Sequence, residues 1–257
     1  MCLLVFAHQA CPEHPLLIAA NRDEFHARST AASAFWDEHP DVLAGRDLEQ
    51  GGTWMGVTRS GRFAAVTNYR DPARTAAAPR SRGELPLDFL TGTQKPQDYL
   101  DALAGRAQDY AGFNLLVGDY HSLWYFTNSD ELEPQSLTPG FYGLSNARLD
   151  TPWPKVTRGK ARLQALLETG ALSHDALAAV VNDRQPADQR ELRALQLVGS
   201  MDPVLSAQFI VTEAYGTRST TTLRIDAGGN THWREQSFDS RGELRGEQLL
   251  AFQQHPA

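Results

Sequence analysis

The chain has 257 residues, 41% hydrophobic and 21% charged, a balance that supports a sizeable core and excludes disorder of the whole. Its net charge of −7 argues against sequence-independent binding to nucleic acid, which rests on Lys and Arg neutralising phosphates. Two cysteines, Cys2 and Cys11, exclude a disulfide scaffold, and the longest apolar runs, Cys2 to Ala7 and Leu16 to Ala20, are too short to cross a bilayer.

Cys2 to His8 reads as a strand, Cys11, Pro12 and His14 as a turn, and Pro15 to Asn21 as a second strand, giving an N-terminal hairpin. Alternation places Cys2, Leu4, Phe6 and His8 on one face and Leu3, Val5 and Ala7 on the other. Val42 to Arg46 predicts a strand, and Trp54 to Thr58 and Phe63 to Asn68 a hairpin around Ser60-Gly61. Asp71 to Arg80 reads as an exposed loop, and the basic cluster from Arg70 to Arg82 as solvated.

Ser81 followed by Glu84 fits a capping box, opening a short helix with Leu85, Leu87, Phe89 and Leu90. Pro96 to Tyr110 predicts another helix, followed by strands at Phe113 to Gly118, Leu123 to Thr127 and Gly140 to Asn146. Trp153 to Glu168 and Ser173 to Asn182 show helical spacing, with Ser173 as N-cap. Arg184 to Glu191 reads as a polar lid or loop, and strands close the chain at Phe209 to Thr212, Thr217 to Asp226 and His232 to Phe238. Without a βαβ rhythm, repeat or linker, the order predicts one antiparallel-rich α+β domain over 1–257.

Cys2 is small enough for methionine aminopeptidases to remove Met1, which would leave a thiol and a free α-amine on one residue. The amine, titrating near ~8, can accept the thiol's proton while the thiolate attacks a carbonyl. The competing reading is a small buried hydrophobe in a first strand. Polar residues at strand ends, namely Asn21-Arg22-Asp23-Glu24, Asn68, Asn146 and Arg218, supply candidate partners.

Met1-Cys2, Asn21 to Glu24, Gly51-Gly52-Thr53-Trp54-Met55-Gly56, Gly61 to Arg70, Phe113 to Asp119, Gly143 to Asn146, Pro152 to Val156 and Tyr215 to Thr221 recur in the order of one family. On these blocks the sequence resembles the NRDE family, also called the transport and Golgi organisation protein 2 family. The resemblance implies an N-terminal-nucleophile (Ntn) hydrolase fold, a four-layer αββα sandwich with two stacked antiparallel sheets. It further implies that Cys2 is the nucleophile, that Asp23 orients its α-ammonium, that Asn68 and Asn146 stabilise an oxyanion, and that Arg218 places positive charge beside the thiolate. Asn21, Arg22 and Trp54 are the expected substrate-binding residues.

One position departs from the related cysteine acylases. Their pattern Arg-Asn-x-Asp would place an Arg where this chain has Ala20, and Arg22 should lie on the opposite strand face from Asn21 and Asp23. The leading expectation is a hydrolase for a carbon–nitrogen or thioester bond of a small substrate with an apolar part, needing no cofactor. The alternative, also implied by the resemblance, is a haem or lipid-metabolite carrier with Trp54, Trp36 and Phe35 lining an apolar pocket.

Cys2, His8, Cys11, His14 and His26 lack the second tight pair that a zinc site needs. Gly51, Gly52 and Gly56 match neither a Walker loop nor a dinucleotide fingerprint, and read instead as a turn where backbone passes close to a ligand or another strand. No basic residue precedes the first apolar stretch, so neither signal peptide nor membrane insertion is expected, and the expected setting is cytoplasmic.

Overall fold

The structure, a computed structural model, describes residues 2–70, 78–130, 133–195, 197 and 199–255. Strands β1 (Cys2–His8), β2 (Leu16–Phe25), β11 (Tyr215–Ile225), β12 (Asn230–Phe238), β13 (Leu244–Gln253) and β10 (Gly140–Leu144) form a six-stranded antiparallel sheet in the order β10-β1-β2-β11-β12-β13. A seven-stranded antiparallel sheet runs in chain order through β3 (Thr30–Phe35), β4 (Val42–Asp47), β5 (Met55–Thr58), β6 (Phe63–Asn68), β7 (Phe113–Gly118), β8 (Leu123–Thr127) and β9 (Gln135–Ser136).

The alternation read from β1 assigns the layers. Leu4 and Phe6 enter the core between the sheets with Leu43, Met55, Leu116 and Trp233. Leu3, Val5 and Ala7 face the other way, against α3 (Pro154–Thr169) and α4 (His174–Val180) through Val156, Leu163, Leu177 and Val180. On the outer face of the second sheet, α1 (Glu84–Thr91) and α2 (Pro96–Ala104) bury Leu85, Phe89, Leu100 and Leu103 on Ala64, Leu115 and Val117. The result is the expected αββα sandwich, in which strands buried on both faces read as nearly continuous apolar runs.

Several local expectations are corrected. Ser81 and Glu84 form no capping box: α1 begins after Gly83 without a side-chain cap, and the Glu84 carboxylate instead meets Arg80 and the Tyr110 hydroxyl. The capping box is at Asp188 and Glu191, opening α5 (Gln189–Ala194) inside the stretch read as polar loop. The helix expected to reach Tyr110 stops at Ala104, followed by a 3₁₀ turn at Ala107–Asp109. Phe209 to Thr212 contributes only an isolated bridge from Val211 to Gly216, and α6 (Asp202–Leu205), β3, β9 and β13 were not anticipated. Ser173 caps α4 as expected, its hydroxyl accepting from the Ala176 amide at 3.1 Å. Most of the Asp71 to Arg80 loop lies outside the described residues.

No helix among the described residues is long and apolar enough to cross a membrane.

Candidate functional site

β2 runs on through the polar block to Phe25, because β11 keeps pairing with it beyond the end of β1. Asn21, Arg22 and Asp23 are therefore buried strand residues. Cys2 pairs with Arg22 in the β1–β2 register, so the two share the inter-sheet face while Asn21 and Asp23 point to the helical side. Ala20 lies two residues before Arg22 on the same face. Arg22 thus puts a guanidinium on the face of Ala20, two residues further along β2.

Cys2 opens onto a cavity of about 440 Å³ whose walls include Arg22, Asp23, Trp54, Asn68 and Arg82. The Gly-Gly-Thr-Trp segment closes one side by a backbone approach that only glycine permits. A Cβ on Gly52 would lie 2.4 Å from the Gly83 carbonyl, and the Thr53 amide donates to that carbonyl at 2.9 Å. Gly51 turns the chain with φ +77°.

Arg22 is fixed by its Nη1 donating to Thr30 Oγ1 at 3.1 Å and by stacking on Trp54, 4.2 Å from guanidinium carbon to ring centroid. Burial pushes the Cys2 thiol pKa up and the nearby Asp23 adds to the rise, while the N-terminal ammonium and, less strongly, Arg22 oppose it. Among the arginines of the cavity, Arg28 pairs with Asp47 at 2.6 Å and Arg80 with Glu84. Arg22 and Arg82 have no carboxylate ion-pair partner among the described residues. Arg82 donates to the Gly112 carbonyl at 3.0 Å, so the basic cluster read as solvated contributes a wall of the site.

Asp23 accepts from Thr217 Oγ1 at 2.7 Å, and its backbone carbonyl accepts from the Tyr215 hydroxyl at 3.0 Å. Its carboxyl pKa is raised by burial and lowered in part by the N-terminal ammonium and then by the Lys155 ammonium. Lys155, in the first turn of α3, was not singled out in the sequence; the only signal was a lysine inside the Pro152 to Val156 block.

Asn68 ends β6 and lines the cavity, and its side-chain amide makes no hydrogen bond within the described residues. Asn146 stands behind it, Nδ2 donating to the Asn68 carbonyl at 2.8 Å, and borders a second cavity of about 460 Å³ that shares Asn68 and Arg82 with the first. Ser145, also missed, donates from Oγ to the Cys2 carbonyl at 2.9 Å, tying the backbone of Cys2 to the end of β10.

Two expected residues are placed otherwise. The Asn21 amide is fully committed, with Nδ2 donating to the carbonyls of Val181 and Gln208, both at 2.8 Å, and Oδ1 accepting from Thr220 Oγ1 at 2.7 Å. Asn21 holds structure and does not line the cavity. Arg218 sits at the bulge in the β2–β11 register, and its Nη1 donates to the carbonyls of Phe25, His26 and Arg28 at 2.9, 3.2 and 3.0 Å. It clamps the turn after β2, and the cations that act on the thiol are the N-terminal ammonium and Arg22.

The aromatic wall expected for haem is not assembled. Trp54 is the one aromatic among the described lining residues, whereas Trp36 is buried beneath α1 and α2 and Phe35 packs edge-on against Phe252. Among the described residues no group of three or more His, Cys, Asp or Glu is placed to hold a metal ion.

The profile of the family described as Transport and Golgi organisation 2 matches residues 1–240. The chain belongs to this family. Among its relatives, a Transport and Golgi organization protein 2 homolog from Bos taurus and one from Homo sapiens are each 37% identical over 258 residues, covering 93% of both chains. Among solved structures, the Caenorhabditis elegans ortholog of N-acylethanolamine-hydrolyzing acid amidase superposes with a TM-score of 0.51 at 10% identity, over 86% of this chain and 92% of that one. The likeness establishes the Ntn-hydrolase fold for this member of the Transport and Golgi organisation 2 family.

Proposed function

We propose that this protein is an N-terminal-nucleophile hydrolase that cleaves an amide or thioester bond of a small substrate, with Cys2 as nucleophile after removal of Met1. The observation that carries this reading is the Cys2 thiol opening onto a cavity beside a stacked guanidinium, Arg22, and an uncommitted amide, Asn68. The fold shared with a solved amidase supports it, and two free cysteines suit a reducing, cytoplasmic setting.

In the proposed reaction the α-amine of Cys2 takes the thiol proton and the thiolate attacks the acyl carbon. The Asn68 amide donates to the oxygen that becomes negative, with Asn146 holding Asn68 from behind. The carbon–nitrogen or carbon–sulfur bond breaks as the leaving group collects the proton. Water then adds to the acyl-thioester, releasing a carboxylic acid and restoring the thiol. Arg22 and Arg82 favour a substrate with a polar or anionic end, while Met201 and Leu205 in the second cavity offer an apolar part its place.

The test combines three measurements on purified protein. Intact mass should show loss of Met1. A thiol-directed electrophile should label Cys2 well ahead of Cys11. A panel of N-acyl and acyl-thioester compounds should include one that is turned over by the natural protein and not by Cys2→Ser. Retained Met1, or equal turnover by Cys2→Ser, refutes the reading.

A further inference from the structure

Lys155 is a buried cation at the start of a helix. It is 2% exposed, and its Nζ has no hydrogen-bond partner within the described residues. It occupies the first turn of the 16-residue α3, where the helix dipole disfavours a cation. A buried, unbonded ammonium is costly unless an opposite charge lies close by. The Trp153 ring, 5.7 Å from Nζ, gives partial compensation through its face.

The geometry that holds this lysine is specific. Its carbonyl accepts from Gln208 Nε2 at 2.9 Å, and the Gln208 carbonyl accepts from Asn21 at 2.8 Å. A Cβ on Gly159 would lie 2.6 Å from Val5, so the helix is pressed onto β1. Asn21 and Asp23 share the strand face turned toward this helix. The groups that act electrostatically on Lys155 to favour its charged form are Asp23 and Cys2, against the desolvation that disfavours it.

We propose that Lys155 is a positioning residue whose buried ammonium is the counter-charge for Asp23 and, through Asp23, governs how readily the Cys2 thiol gives up its proton. This rests on the reading of Cys2 as nucleophile. Lys155 touches no substrate; it acts through the charge states of Asp23 and Cys2. The other charged or titratable groups acting on the thiol are the N-terminal ammonium, Asp23 and Arg22 from β2, Arg82 from the segment before α1, and Tyr215 from β11. Among the described side chains of that set, Lys155 is the cation carried by α3.

The experiment is the pH dependence of iodoacetamide alkylation at Cys2, followed by mass spectrometry, in the natural protein and in Lys155→Met and Lys155→Gln. It is read on whichever N-terminus the purified protein carries, so it does not depend on turnover. The expected result is a rise of about one unit in the apparent thiol pKa, hence about tenfold slower alkylation at neutral pH. Thermal melting should fall in both variants, because removing one partner of a buried charge pair leaves the other uncompensated, so alkylation is read well below each variant's transition. An unchanged alkylation profile in either folded variant overturns the role of Lys155, whether or not Cys2 is a nucleophile. Absence of amide and thioester turnover alongside the shifted profile instead removes the hydrolase reading and leaves the electrostatic pairing standing.

Discussion

Cys2 and Arg22 are direct partners across the β1–β2 ladder, and the Arg22 guanidinium is held 4.2 Å from the Trp54 ring centroid. A fixed, partly desolvated positive charge therefore stands beside the thiol and favours its ionised form.

Arg22→Ala should slow alkylation of Cys2 at neutral pH by about three- to tenfold, the effect of roughly half to one unit in the thiol pKa. Arg22→Lys should recover only part of this, since an ammonium lacks the planar face that stacks on Trp54. A pH–rate profile for alkylation checks both, and a profile indifferent to Arg22→Ala would exclude the proposed electrostatic contribution.

Arg218 and Asn21 should behave as structural residues. Asn21→Ala removes three buried hydrogen bonds and strands two carbonyls, a loss of about 3 kcal/mol. Denaturant unfolding should record that loss while the apparent pKa of Cys2, measured well below the transition, moves little. Arg218→Ala should cost about 1 kcal/mol and likewise leave the thiol pKa in place.

Gly52→Ala drives a methyl into the Gly83 backbone, where no side chain can yield. Overpacking of this kind costs about 1–3 kcal/mol. It should also push the segment holding Arg82 away from the cavity, so a rise in KM for any substrate that is turned over is expected together with the lower melting temperature.

His174 supplies a pH dependence of stability. Burial holds its pKa down to about 4, with Arg224, Arg234 and His232 adding repulsion, and its Nδ1 lies 2.7 Å from Thr222 Oγ1. The folded protein thus prefers the neutral ring, while the unfolded chain takes up a proton near 6.5. The stabilisation is fully present above about pH 6.5 and is lost as pH falls toward 4, amounting to ~2–3 kcal/mol. Urea unfolding between pH 4.5 and 7 should show this slope in the natural protein and a shallower one in His174→Gln; equal slopes would rule out His174 as its source.

The core strands were legible because their faces are uniform. Leu3 to Ala7 and Leu16 to Ala20 are buried on both sides, and the same runs read as strands in the sequence. β13 was missed because it is an edge strand paired only with β12, its first six residues exposed, so water replaces the alternating pattern that would announce it. Ser81 and Glu84 show the opposite failure: the local motif is present, but tertiary contacts to Arg80 and Tyr110 claim the Glu84 carboxylate.

By itself the sequence determined the family, the αββα class, and the importance of Cys2 and the Asn21 to Glu24 block, since these rest on residue order and strand alternation. Only the tertiary structure decided the division of labour among the polar residues. β-Register set Arg22 opposite Cys2, the bulge near Arg218 turned that guanidinium onto three carbonyls, and the seating of α3 on β1 brought Lys155 toward Asp23. Each is a contact between segments far apart in the chain, where electrostatics depends on distance and burial that no local spacing encodes.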